Sequence, residues 1–296
     1  MIHVPEELAA SQAKYNGEAG RAFIAGLPAR AEAFLDRWDL HLTGPSMHGV
    51  ASLVLPVRKD GTPAVLKLQL LDEESEGEPT GLRAWAGNGS VRLLDHDPET
   101  GTMLLERADE TRHLSTHPDP REAVDVLAGL LARLTALPAP PGLRTLADIA
   151  AAMLADTPRA AERLGADDAR LLKDCAAAVR EVLPEPGDRL LHWDLHYDNI
   201  LAAEREPWLA IDPKPLAGDP GFDLLPALTD LGDPDPAETL WRFDLLTERL
   251  GLDRARARAW TLGRVLQNGL WDVEDGEPAL DEDQVSIART LLSRTA

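Results

Sequence analysis

Apolar residues recur at helical spacing through residues 5–37, with 6–14 and 28–37 as two predicted helices and Gly17, Gly20 and Gly26 as interruptions. The pattern then shortens toward strands. Residues 38–42, 51–57 and 64–70 read as strands, and Arg58-Lys59-Asp60-Gly61 places an Asp-Gly step between the last two, a hairpin signal. The acidic stretch 72–80 predicts the start of a helix that runs through Leu82-Arg83-Ala84-Trp85. Two more strands follow at 91–95 and 102–106, joined by a turn at Asp97-Pro98-Glu99-Thr100-Gly101. Beyond 107 the pattern is helical. Residues 120–136 place Val124, Leu127, Leu130, Leu131 and Leu134 on one face. Further helices are predicted at 146–163, 167–182, 237–250, 253–270 and 281–293. A β-rich part at 1–107 followed by an α-rich part at 108–296 predicts an α+β chain in two lobes.

Composition narrows the class. A chain of 296 residues is comfortable for two lobes, and 44% hydrophobic with 27% charged residues is ordinary for a soluble enzyme. No apolar run approaches the roughly 18 residues of a membrane span, and the first ten residues show no secretory pattern. The single cysteine, Cys175, excludes an intrachain disulfide and fits a cytoplasmic location. The net charge of −21, without a basic face, argues against nucleic acid. It suits a cationic small molecule, or simply solubility.

One stretch carries the chemistry. His192-Trp193-Asp194-Leu195-His196-Tyr197-Asp198-Asn199 reads H-x-D-x-x-x-x-N, and Asp212 follows Asn199 by 13 positions at the end of an apolar run. Phosphoryl transfer from ATP needs a carboxylate to position and deprotonate a hydroxyl, and an amide oxygen and a second carboxylate to hold Mg2+ on the phosphates. Asp194 is the expected base, with His192 orienting the loop. Asn199 and Asp212 are the expected metal ligands. Upstream, Lys67 ends an apolar strand and can meet the nucleotide phosphates as a point charge. Glu78 is its expected partner, with Glu74 and Glu76 as rivals. Gly44-Pro45-Ser46-Met47-His48-Gly49 is either a plain turn or a cover over phosphates. Two other chemistries compete. His192, Asp194, His196 and Asp198 alternate, and on a strand they would share a side that could bind metal in a hydrolase. A non-catalytic kinase-like binding module is the other, although it would not need Lys67, Asp194, Asn199 and Asp212 together.

The His192–Asn199 run resembles the catalytic loop of the aminoglycoside phosphotransferases, in the streptomycin 6-kinase and hydroxyurea phosphotransferase branch. Leu66-Lys67-Leu68, Ile211-Asp212-Pro213-Lys214, Gly218-Asp219-Pro220-Gly221-Phe222-Asp223-Leu224 and Val265-Leu266-Gln267-Asn268-Gly269-Leu270-Trp271 agree with that branch. The resemblance implies a protein-kinase-like bilobal fold, with a small antiparallel β-rich N-lobe and a larger helical C-lobe. It also implies ATP, Mg2+ and a small-molecule acceptor. It assigns the adenine edge to the backbone from Glu106 to Ala108, and a structural role to Asp223. Pro213-Lys214 stands where protein kinases have Phe-Gly, which argues against a protein substrate. The acceptor is expected to be cationic, with Asp219, Asp230, Asp272 and Glu274 as acidic candidates near Gln267, Asn268 and Trp271. Hydroxyurea or another small metabolite is the alternative acceptor.

Overall fold

The computed structural model describes residues 2–229 and 235–293. The chain divides into two compact units, Met1–Asp109 and Glu110–Ala296.

The first unit is a helix on a sheet. Helix α1 (Glu6–Arg37) is two helical stretches that meet at a kink, where Gly17 leaves helical geometry with φ of 53° and ψ of −122°. Pro28 lies inside the helix and Gly26 does not break it. Its second half buries Phe23, Leu27, Ala31 and Phe34 in one cluster with Leu53, Leu55, Leu66, Leu68 and Leu104 of the sheet. Each full burial of a large apolar side chain contributes about 1.5–3 kcal/mol, which outweighs the weak helical preference around the glycines. The strands are β1 (His41–Leu42), β2 (Met47–His48), β3 (Ser52–Lys59), β4 (Thr62–Gln69), β5 (Leu93–Asp97) and β6 (Thr102–Glu106), in the spatial order β1-β3-β4-β6-β5 with β2 also on β3. All pairings are antiparallel. The β3–β4 turn is the Asp-Gly step: Asp60 and Gly61 have φ of 49° and 82°, as a two-residue hairpin loop requires. Helix α2 (Glu78–Trp85) starts later than the acidic pattern suggested. Asp72 holds the preceding segment in turns by accepting from the N–H groups of Glu74 and Ser75. Pro79 sits in the first helical turn, where a missing N–H costs nothing.

The second unit is mostly helical. It contains β7 (Asp109–His113), α3 (Pro120–Leu134), α4 (Leu146–Ala161), α5 (Ala166–Val182), β8 (Arg189–Leu191), β9 (Ile200–Ala202), β10 (Trp208–Ala210), β11 (Leu216–Gly218), α6 (Leu225–Leu228), α7 (Pro236–Leu250), α8 (Arg254–Asp275) and α9 (Glu282–Ser293). Side chains cap the helices where the sequence offers them: Asp119 for α3, Thr145 for α4, Asp235 for α7 and Asp253 for α8. Helix α8 buries Ala257, Trp260, Leu262, Val265, Leu266 and Val273, packs on α5, and ends at Gly276 with φ of 85°. A Cβ at Gly263 would lie 3.0 Å from Val179, so the missing side chain permits the close approach of α8 to α5. Two small sheets matter for the site: β8 pairs antiparallel with β11, and β9 lies between β10, to which it is antiparallel, and β7. No helix among the described residues is long and apolar enough to cross a membrane.

Candidate active site

In the second unit, the loop from His192 to Asn199 joins β8 to β9, and a second loop joins β10 to β11. The two are stitched together. Ile211 N–H donates to Asn199 O (2.9 Å) and Lys214 N–H donates to His192 O (3.0 Å). His192 Nε2–H donates to Ile211 O (3.1 Å), and its Nδ1 accepts from Asp194 N–H (3.4 Å). Both ring nitrogens of His192 are therefore used inside the protein, in the neutral form. Burial drives its pKa from 6.5 down to about 4, against the pull of the Asp194 and Asp212 carboxylates. His192 orients the loop and offers no nitrogen to a metal. The run from His192 to Asp198 is a loop ending in a 3-10 turn (Tyr197–Asn199), so the alternation that would have suited a metallohydrolase does not lie on a strand. Among the described residues, no three His, Cys, Asp or Glu side chains are grouped to hold a metal ion.

Asp223 supports this loop from beneath. It is fully buried, and its two oxygens accept from the N–H groups of His192 and Trp193, both at 2.8 Å. Burial pushes its carboxyl from 3.8 up to about 7, while those two bonds and the Arg264 guanidinium act to hold it down. Trp193 needs this support, because its φ of 67° is unusual for a bulky residue. Its indole Nε1–H donates to Gln267 Oε1 at 3.2 Å, and the guanidinium groups of Arg144 and Arg264 lie 4.5 Å and 5.1 Å from its ring. Gln267 thus belongs to the buried support of the loop. Asp212 is the other strained residue here, with φ of 56°.

Each unit holds its expected groups separately. Asn199 Nδ2–H donates to the main-chain oxygen of Asp194 at 2.9 Å, which leaves its Oδ1 as the atom able to coordinate. Asp194 is partly exposed, with Lys214 Nζ 3.4 Å from its Oδ2. Asp194 lines a cavity of about 330 Å³ together with His196, Asp198, Arg264, Asn268 and Gln284. Asp198 is also bound by the Ser115 hydroxyl, so it both lines the cavity and holds the loop. In the first unit, Lys67 Nζ donates to both oxygens of Glu78 at 2.7 Å, and both residues are buried. Gln69 Nε2–H adds a bond to Glu78 Oε2 at 3.0 Å. Glu106 closes β6, where its N–H donates to Arg92 O (2.9 Å) and its carboxylate accepts from Arg92 N–H (3.0 Å). Ala108 lies in the segment that follows. Gly44–Gly49 contains the short strand β2, and Gln12 Nε2–H on α1 donates to Ala51 O at the hairpin tip (3.1 Å).

The acidic candidates are placed elsewhere. Asp219 caps a 3-10 turn by accepting from Gly221 N–H and pairs with Arg256 at 2.5 Å, so its charge is already used. Asp272 accepts from Asp281 N–H (3.3 Å). Glu274 lines a different cavity with Asp156, Arg159 and Arg163. Asp230 lies outside the described residues. None of Asp219, Asp272 and Glu274 lines the cavity at Asp194, because the face of α8 that meets it carries Arg264 and Asn268. Sequence reading missed Lys214, Arg264 and Gln284. Of these only Lys214 had a signal, its place two residues after Asp212.

The sequence profile of the aminoglycoside/hydroxyurea antibiotic resistance kinases matches residues 37–276. The chain is 62% identical to the hydroxyurea phosphotransferase of Kitasatospora aureofaciens, over 99% of this chain and 87% of that protein. It is 60% identical to the streptomycin 6-kinase of Streptomyces glaucescens, over 98% of this chain and 97% of that protein. Its fold is shared with a thermostable mutant of the aminoglycoside phosphotransferase APH(4)-Ia solved with ADP and hygromycin B (TM-score 0.62, 14% identity, 90% of this chain and 98% of that one). With its β-sheet unit, its helical unit and its match along most of its length, the chain belongs to the aminoglycoside/hydroxyurea antibiotic resistance kinases and is a small-molecule kinase.

Proposed function

We propose that this kinase transfers the γ-phosphate of ATP to a hydroxyl of an aminoglycoside such as streptomycin, and so acts in antibiotic resistance in the cytoplasm. One observation carries the reading. Asp194, the one carboxylate of the H-x-D-x-x-x-x-N loop with a base's position, lines a cavity large enough to receive part of a polyhydroxylated molecule. Lys67, held by Glu78, binds the α- and β-phosphates, and the backbone from Glu106 to Ala108 meets the adenine. Asn199 Oδ1 and the Asp212 carboxylate are hard oxygen donors, two in number, which suits Mg2+ shared with phosphates and water rather than a cage of protein ligands. Mg2+, when bound, neutralises charge on the phosphates. The chain's own residues bind, orient and accept the proton: Asp194 takes it from the acceptor hydroxyl, and His192 and Asp223 keep the Asp194 loop in place.

The acceptor site supports a cationic, donor-rich molecule. Asp194 and Asp198 supply negative charge to the cavity. Asn268 adds a buried amide oxygen that has no hydrogen-bond partner among the described residues, so a donor on the acceptor would satisfy it. The second reading is hydroxyurea, which the 62% identical relative's name favours.

A panel of streptomycin, other aminoglycosides and hydroxyurea, assayed for ADP release and product mass, separates the two. Streptomycin should gain one phosphoryl group, and its KM should rise with salt because exposed charge attraction is screened over about 8–10 Å at physiological ionic strength. Hydroxyurea is neutral and should show no such salt dependence. Turnover of hydroxyurea with no aminoglycoside modified would replace the first reading by the second.

A further inference from the structure

The loop after β10 brings a cation to the proposed base. Lys214 Nζ lies 3.4 Å from Asp194 Oδ2, and the Lys214 main chain is pinned to the opposite loop through its N–H bond to His192 O. Pro213, with its fixed φ, stiffens the step between Asp212 and Lys214. The Lys214 side chain is 39% exposed and that of Asp194 26%, and a pair this open adds little to stability. Arg264, which lines the cavity at Asp194, lies 5.1 Å and 5.3 Å from the Trp193 and Trp271 rings and donates to Gln267.

We propose that Lys214 is a catalytic residue whose ammonium binds the oxygens of the phosphoryl group as it is transferred. This rests on Asp194 acting as the base of an ATP-dependent transfer. In that step the acceptor oxygen forms a bond to the γ-phosphorus. The bond from that phosphorus to the β,γ-bridging oxygen breaks, ADP leaves with the electron pair, and the hydroxyl proton passes to Asp194. A hydroxyl within about 3 Å of the Asp194 carboxylate and about 3–3.5 Å from the phosphorus puts the transferred oxygens within reach of the flexible Lys214 side chain. Binding of the hydroxyl releases the ammonium from the carboxylate toward those oxygens. A positive charge that reaches those oxygens as the acceptor is seated and the phosphoryl group transfers lowers the barrier more than it strengthens ground-state binding.

Lys214→Met and Lys214→Arg in the full-length protein test this. With an acceptor that the wild type phosphorylates, Lys214→Met should lose about 100-fold in kcat. Its KM values for ATP and acceptor should stay within about threefold, the mark of an interaction made only in the transition state. Lys214→Arg should recover part of the loss. Calorimetry gives a readout that does not depend on turnover. ADP with aluminium fluoride, a mimic of the phosphoryl group in flight, should bind Lys214→Met at least about tenfold more weakly while ADP alone binds as before. Combining Lys214→Met with Asp194→Asn should lower kcat below that of Asp194→Asn alone. Equal rates would mean that Lys214 acts only by holding the carboxylate, and would overturn the proposal, as would wild-type kcat in Lys214→Met. If the wild type phosphorylates no acceptor, the base assignment loses its support, and the aluminium fluoride measurement still decides the role of Lys214.

Discussion

Asp194→Asn is expected to slow phosphoryl transfer by about 10²–10⁴-fold, the range of a lost general base. The substitution preserves shape and removes charge. The bond from Asn199 Nδ2–H survives, because it ends on the main-chain oxygen of residue 194. The bonds from the His192 and Trp193 N–H groups to Asp223 survive for the same reason, since the loop is held by its backbone. ATP affinity should therefore change little, and the loss should appear in kcat with the acceptor saturating. Steady-state kinetics and nucleotide calorimetry on the same preparation check both halves. Turnover like that of the wild type would remove Asp194 from the role of base.

The second large effect is expected at Asp223. Asp223→Ala leaves two buried N–H groups without acceptors, and each such orphan costs about 1–3 kcal/mol. Stability should fall by about 2 kcal/mol or more, read as a lower denaturation midpoint in urea. The left-handed backbone at Trp193 depends on those bonds. Turnover should therefore fall even at temperatures where the variant stays folded, and crystals of the variant should show the loop displaced at Trp193. An unchanged midpoint together with unchanged kcat would show that Asp223 does not hold the loop.

Much of this could be read from the sequence, and the reasons are specific. The β3–β4 hairpin was legible because Asp60-Gly61 must take positive φ, and few residue pairs do so readily. Asp194 and Asn199 were legible because a short loop fixes their spacing, so sequence distance stands in for spatial distance. Strand β7 was not legible. Asp-Glu-Thr-Arg-His has no apolar alternation, and the segment is a strand because β9 offers it an edge. Helix α1 reads as two stretches, and Gly17 does kink it, but Gly20 and Gly26 do not interrupt the second stretch, which the sheet beneath it buries. The acceptor side was the least legible. Acid content near Trp271 pointed to α8, but only three-dimensional packing decides which face of that helix meets Asp194, and the residues there are Arg264 and Asn268.

His192 and Asp223 also set how the protein handles protons. His192 falls from 6.5 to about 4 on folding, so its contribution is present above 6.5 and is lost as pH falls toward about 4. Asp223 rises from 3.8 to about 7, so its contribution has the opposite sign: present below 3.8 and lost as pH rises toward about 7. Between about pH 4 and 6.5 folding releases a proton at one group and takes one up at the other, and the two pH dependences oppose each other. The loop that carries the proposed base is thus buffered against acid by a neighbouring pair rather than by any one residue. Asp223→Asn keeps a polar side chain and removes this compensation. Urea midpoints for that variant should fall more steeply than those of the wild type as pH drops from 6.5 to 4.5. Parallel profiles for the two proteins would show that the proton balance lies elsewhere.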